Sequence, residues 1–245
     1  MSSKNKLFKF KENETFRCLV QPDMEEIFHK DHPLKGRWGE EMFGNDHPII
    51  LELGCGKGEY TIALAERHPE NNYIGVDIKG ARLWKGAKYA TEKPLPNVAF
   101  LRIRIEFIES LFAQDEVSQI WVTFADPQVH KPRKRLTSEL FLSRYRKFLR
   151  TADDGSETGT IHLKTDSQLL HESTLEVIQA GGHRLIEADN DIYGSGRAAD
   201  DEILSVKTFY EQYFLAQGLP ITYLRFKLNT DNTDNPEDPE KPEKP

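Results

Sequence analysis

The run Ile49-Ile-Leu-Glu-Leu-Gly-Cys-Gly-Lys-Gly-Glu-Tyr60 constrains this chain more than any other stretch. Apolar residues lead directly into Gly54, Gly56 and Gly58, and a helical pattern follows from Glu59. A strand buried on both faces reads as a near-continuous apolar run, and such strands belong to parallel α/β sheets. Glycines placed directly after it let the backbone turn tightly and come close to a ligand. The stretch therefore reads as a nucleotide-type ligand loop on an α/β sheet.

The spacing narrows the ligand. A dinucleotide fingerprint is G-x-G-x-x-G, with the third glycine packing helix on strand. Here it is G-x-G-x-G, and Glu59 stands where that third glycine belongs. Glu52 lies inside the strand, two residues before Gly54, where its charge would not help a pyrophosphate. S-adenosylmethionine carries no phosphate but an ammonium, a sulfonium and a ribose diol, which acids suit. A second acid, Asp77, closes the next apolar run, Tyr73-Ile-Gly-Val-Asp77, where a second strand tip would meet a ribose. The glycines alone fit a plain strand–helix turn; with Glu52 and Asp77 they favour this methyl donor.

From Ile49 onward strands and helices alternate. Strands are expected at 49–53, 73–77, 98–103, 119–125, 160–164, 183–188 and 220–228. Helices are expected at 58–67, 80–91, 106–113, 137–150, 168–180 and 203–216. Regular alternation implies a doubly wound parallel sheet with ligands at the carboxyl ends of its strands. Glu52–Gly58, Asp77, Asp126 and Asp166 all fall at such ends. Residues 1–37 read as an irregular basic extension with Lys4, Lys6, Lys9 and Lys11, either touching an anionic partner or packing as a solvated arm. Residues 38–229 read as the main domain. Residues 230–245 read as a disordered acidic, proline-rich tail.

The 245 residues carry a net charge of −7, which at face value disfavours nucleic acid. The distribution reverses that reading. The segment Asp231–Pro245 holds six acids and two lysines, whereas Lys131–Arg150 holds eight basic residues against Glu139 alone. Local charge decides what docks there. No apolar run approaches the ~20 residues of a membrane span, and Met1–Lys6 lacks a signal-peptide core. Cys18 and Cys55 show no metal-ligand spacing, and His29 and His32 read as surface residues. A cytoplasmic chain without a metal is expected, as a monomer or homodimer.

The second informative stretch is Gln119-Ile-Trp-Val-Thr-Phe-Ala-Asp-Pro-Gln128 followed by Val129-His-Lys-Pro-Arg-Lys-Arg-Leu136. Pro127 fixes the chain as it leaves the strand and keeps Asp126 extended. Lys131, Arg133, Lys134 and Arg135 then offer a phosphate-binding rim beside that carboxylate. An acid flanked by basic residues suits a nucleic-acid base as acceptor.

Glu52-x-Gly54-x-Gly56-x-Gly58, Gly75-Val-Asp77, Phe124-x-Asp126-Pro127, Lys134-Arg-Leu136, Thr165-Asp166 and Ile221-Thr-Tyr-Leu-Arg-Phe226 together resemble the bacterial tRNA (guanine-N7)-methyltransferases. The likeness runs from about Trp38 to Phe226. It implies the class I methyltransferase fold, a Rossmann-like, mostly parallel seven-stranded α/β sheet with an antiparallel last strand and helices on both faces. It also implies methyl transfer from S-adenosylmethionine to N7 of guanine 46 in the tRNA variable loop. By the same resemblance the cofactor-binding residues fall on Glu52, Gly54, Gly56, Gly58, Asp77, Arg104 and Asp126. Substrate-binding residues fall on Lys131, Asp166, Thr222 and Arg225, and Asp126 is the catalytic candidate. The chain departs from the pattern at Arg104, which cannot accept from an adenine amino group, leaving the backbone or Glu106 to do so. His130 competes with Lys131 for the substrate contact. Trp38 and Tyr193 are each either a stacking partner for the base or packing residues, and Asp189–Gly196 is a lid or a plain loop.

Three rivals are disfavoured. Amine methyltransferases tend to carry Asp/Asn-Pro-Pro-aromatic, and Asp126-Pro-Gln-Val lacks both the second proline and the aromatic. A nicotinamide oxidoreductase fits neither the glycine spacing nor Glu52. An RNA-binding module without turnover would not need four acids in a cleft facing RNA.

Overall fold

Strand and helix alternate because the central strands are apolar enough to be covered on both faces. In the computed structural model, which describes residues 3–151, 156 and 158–229, the strands are β1 (Leu19–Val20), β2 (Ile49–Leu53), β3 (Asn72–Val76), β4 (Val98–Leu101), β5 (Val117–Thr123), β6 (Thr160–Thr165), β7 (Arg184–Asp189) and β8 (Thr222–Lys227). The helices are α1 (Ser3–Asn13), α2 (Met24–Ile27), α3 (Glu59–Arg67), α4 (Gly80–Glu92), α5 (Glu139–Tyr145), α6 (Gln168–Ala180) and α7 (Phe209–Leu215). A π-helical turn covers Trp38–Phe43, and 3-10 turns cover Ile105–Ser110 and Pro132–Lys134. Among the described residues no helix is long and apolar enough to cross a membrane.

The sheet order is β1-β4-β3-β2-β5-β6-β8-β7, with β8 antiparallel to both neighbours. Alternate strand residues feed two cores. One face buries Leu51, Leu53, Ile120, Val122 and Leu163 with Phe141 and Leu142 of α5 and Leu170 of α6. The other buries Ile50, Tyr73, Phe100 and Trp121 with Tyr60 and Leu64 of α3 and Leu83 of α4. Each large apolar side chain so buried contributes roughly 1.5–3 kcal/mol.

Three expectations change. The sheet has eight strands rather than seven, because β1 pairs parallel with β4 and covers its edge through Phe100 N–H to Cys18 O and Arg102 N–H to Val20 O. The extension expected to be irregular contains a helix among its described residues: α1 docks on α4, where Asn13 Nδ2 donates to Gly80 O and Trp84 Nε1 to Glu12. The helix expected at 203–216 starts only at Phe209. Thr208 and Glu211 form a reciprocal capping box there, and Asp201 Oδ1 takes the N–H groups of Ile203 and Leu204 in a preceding turn. The tail assigned to 230–245 lies outside the described residues.

The order reverses between β2 and β5, which makes the gap beyond their carboxyl ends the switch point where such sheets bind ligands.

Candidate active site

Register sets the site in a row. Leu53 pairs with Val76 and Val122, Val76 with Leu101, Thr123 with Lys164, and Thr165 with Thr222. Gly54, Asp77, Arg102, Phe124 and Asp166 therefore follow strand ends that are level with one another, and Thr222 opens β8 at the same edge.

The glycine loop has two jobs on two of its residues. Gly54 N–H and Cys55 N–H both bond Val76 O, folding the loop over the end of β3. Gly56 has φ +58° and a Cβ there would meet nothing within 4 Å, so this residue faces open space. Gly58 has φ +72°, and a Cβ would lie 2.4 Å from Phe100 Cε1. Gly58 thus lets α3 close onto β4, the packing task that the dinucleotide pattern assigns to its third glycine.

The acids around this loop divide. Asp77 Oδ2 accepts from Gly56 N–H at 2.9 Å and Oδ1 from Lys79 N–H at 2.7 Å. Each oxygen keeps a further lone pair. Glu52 is only 4% exposed, and its carboxylate accepts from Thr61 N–H, Thr61 Oγ1 and Thr123 Oγ1. Burial pushes it up to about 7, against the lowering pull of those donors. Its contacts are internal: Glu52 ties β2 to the first turn of α3 and the last residue of β5.

β5 ends at Thr123 because the next residue leaves extended geometry. Phe124 has φ +49° and Gln128 φ +47°, two left-handed non-glycine residues on either side of Asp126-Pro127. Such conformations cost on the order of 1–3 kcal/mol each and concentrate at functional sites. Asp126 is exposed and accepts from Gln128 N–H at 2.9 Å, while Arg135 Nε holds Pro127 O at 2.9 Å. Lys131, Arg133 and Lys134 are exposed on the turn that follows, as is His130.

Asp166 leaves β6 half-buried, and burial raises its carboxyl above the usual range. Thr222 is buried, with Oγ1 donating to Thr165 O at 3.1 Å. Arg225 does not join them. It pairs in register with His162 and bonds Glu187 at 3.3 Å, three residues or about 10 Å down the strand from the ligand edge. Arg104, three residues beyond β4, is exposed and pairs with Glu106 at 3.1 Å. Burial raises Glu106, but its own backbone N–H and Arg104 outweigh that and hold the carboxyl below its usual value.

The two side chains that are candidates for stacking on the base make other contacts. Trp38 is fully buried, donates Nε1–H to Leu111 O and stacks on Phe112. Tyr193 donates its hydroxyl to Glu211 at 2.8 Å, beneath Lys207.

A second set of residues escaped the sequence reading. Lys164 in β6 and Glu211 in α7 are both 0% exposed and meet at 2.7 Å. Lys164 Nζ also donates to Leu204 O and Val206 O. At this same N-terminal end α7 is fixed to the glycine loop, where Glu59 accepts from Phe209 N–H and Lys57 lies 4.6 Å over the Phe209 ring. Phe214 stacks on Phe124. Helix α7 thereby spans from the glycine loop to the Asp126 loop. The available signal was Thr208-x-x-Glu211, a capping box inside what reads as a continuous helix.

A family model described as "Putative methyltransferase" matches residues 46–224. The chain is 50% identical over 230 residues to a tRNA (guanine-N(7)-)-methyltransferase of Christiangramia forsetii, covering 93% of this chain and 100% of that one. It is 47% identical over 225 residues to the protein of the same name from Bacteroides thetaiotaomicron, covering 92% and 86%. Among solved structures it is similar to the 16S rRNA methyltransferase KamB, with TM-score 0.55 and 15% identity over 78% of this chain and 92% of that one. The antibiotic-resistance methyltransferase Kmr gives TM-score 0.52 at 16% identity over 78% and 91%. These structural likenesses are of fold, the α/β methyltransferase fold.

Proposed function

This chain belongs to the bacterial tRNA (guanine-N7)-methyltransferase family, and we propose that it transfers a methyl group from S-adenosylmethionine to N7 of guanine 46 in the tRNA variable loop, in the cytoplasm. The observation that carries this reading is the level row of strand ends, which sets the glycine loop, Asp77, Asp126 and Asp166 at one switch point beside the Lys131–Arg135 turn.

The residues at that point fit the donor. Gly56 fronts open space, and Asp77 retains acceptor capacity toward a ribose diol. Glu106 is the acceptor for an adenine amino group, with Arg104 orienting it. When bound, S-adenosylmethionine supplies a methyl group activated by its sulfonium. Guanine N7 has an in-plane lone pair and no proton, so the chain needs no general base. Its task is to position the acceptor. Asp126 stabilises the positive charge that the base acquires, with Asp166 as the second candidate. Lys131 holds an adjoining phosphate, and Thr222 fixes the segment carrying Asp166 through Thr165 O. Guanine N7 lies on the major-groove edge, so the base is reached in an exposed or unstacked form.

The test uses labelled donor and unmodified tRNA with the parent protein and Asp126→Ala. The parent incorporates label; Asp126→Ala loses turnover while keeping most of its tRNA affinity. A variant that lost affinity alone would remove Asp126 from the reacting centre.

A further inference from the structure

Lys131, Arg133 and Lys134 share one exposed turn and make no ion pair among the described residues. Arg133 and Arg135 from this turn, with Pro132, Ser138, Glu139 and Glu176, line a cavity of about 420 Å³ between the turn and α6. Lys134 feels the charge of Glu106, but like charges on one short turn still repel each other, and the local field at Lys131 and Arg133 favours an anion.

The chain itself brings one there. Asn229, the last described residue, is fixed beside this cavity by two contacts. Its N–H donates to His183 Nδ1 at 3.2 Å, and its carbonyl accepts from Arg146 Nε at 3.3 Å. Both partners reach Glu139 on the cavity wall, His183 Nε2 at 3.3 Å and Arg146 Nη1 at 3.4 Å. Beyond Asn229 the sequence 231–245 carries six acids against two lysines. Fifteen residues span at most ~50 Å, far more than the width of α5. A tether of that reach makes any encounter of these acids with the turn intramolecular, at an effective concentration that the linker length sets.

We infer that the acidic segment 231–245 docks on the Lys131–Arg135 turn and competes there with RNA phosphates; the competitor, though not the contact, rests on the tRNA reading above. Exposed ion pairs are individually weak, so a polyanion with several phosphates displaces the segment while a weaker or non-specific anion does so less readily. The segment acts as a built-in competitor for RNA.

The test compares the full chain with a full-length variant carrying Asp231→Asn, Asp234→Asn, Glu237→Gln, Asp238→Asn, Glu240→Gln and Glu243→Gln. The first readout needs no RNA: the rates at which an amine-acylating reagent labels Lys131 and Lys134, followed by mass spectrometry. At low salt both lysines label more slowly in the parent, and the difference disappears near ~1 M salt, where the Debye length is about 3 Å. The second readout is tRNA affinity, tighter by roughly three- to tenfold in the neutralised variant at low salt and equal at high salt. Equal lysine labelling overturns the contact. Slower labelling in the parent with equal tRNA affinity overturns the competition. Slower labelling with no tRNA binding by either protein supports the contact and overturns the tRNA reading instead.

Discussion

Lys164 and Glu211 meet at 2.7 Å with neither side chain exposed, joining the strand that leads to Asp166 with the helix that spans the two halves of the site. Attraction between them has to offset the desolvation of both charges, and it does so with help from Leu204 O, Val206 O and the Tyr193 hydroxyl. Removing one partner leaves a buried charge uncompensated, at a cost of about 3–5 kcal/mol. Glu211→Gln and Lys164→Met are expected to lose that much by chemical denaturation, and the double variant Lys164→Met/Glu211→Leu to recover most of it. Single variants within about 1 kcal/mol of the parent would show the pair to be dispensable.

Glu52 makes stability pH-dependent. Its folded carboxyl titrates near about 7 and its ordinary value is 4.5, so the folded chain holds a proton that the unfolded chain releases between them. The contribution is fully present below 4.5 and is lost as pH rises through about 7, up to roughly 3 kcal/mol. Glu52→Gln keeps an acceptor for Thr61 N–H and removes the titration. Denaturation midpoints of parent and variant should diverge between pH 5 and 8, the variant gaining; parallel profiles would exclude a perturbed Glu52.

Gly58 and Gly56 share a left-handed φ but not their surroundings. Gly58→Ala drives a methyl into the Phe100 ring and should cost about 2–4 kcal/mol in stability, from overpacking plus backbone strain. Gly56→Ala meets no atom, so it should cost only about 1–2 kcal/mol while weakening donor binding, measured by titration with S-adenosylmethionine. Equal stability losses would contradict the division of tasks.

The basic turn should affect RNA and not the donor. Lys131→Ala/Arg133→Ala/Lys134→Ala is expected to raise KM for tRNA and to lower the steepness of its salt dependence by about three phosphate contacts' worth. KM for the donor should stay within twofold. A change confined to the donor would place the turn elsewhere in the mechanism.

Much of this was legible because buried parallel strands advertise themselves. Ile49–Leu53 is apolar except for Glu52, Tyr73–Val76 is apolar but for one glycine, and Asp77, Asp126 and Asp166 stand where strand runs stop. Helix α1 was not legible, since Phe8 and Phe10 are sparse among lysines and its order comes from long-range bonds such as Asn13 to Gly80 O. Glu52 carries the right charge in the right place, but only the Thr61 and Thr123 contacts reveal that it points inward. Lys164 breaks the apolar rule for a central strand, and its partner lies in a distant helix that no local pattern connects to it. Arg225 sits in the expected segment, yet the antiparallel register carries it down the sheet toward Glu187.

The central claim concerns one nitrogen atom of the acceptor. An N7-methylated guanosine becomes labile to borohydride reduction and aniline, which cut the chain at that nucleotide. Unmodified tRNA incubated with this protein and S-adenosylmethionine should be cut at guanine 46 and left whole when the donor is omitted. Methyl incorporation without scission would contradict methylation at N7, and scission at another guanine would contradict the assigned position.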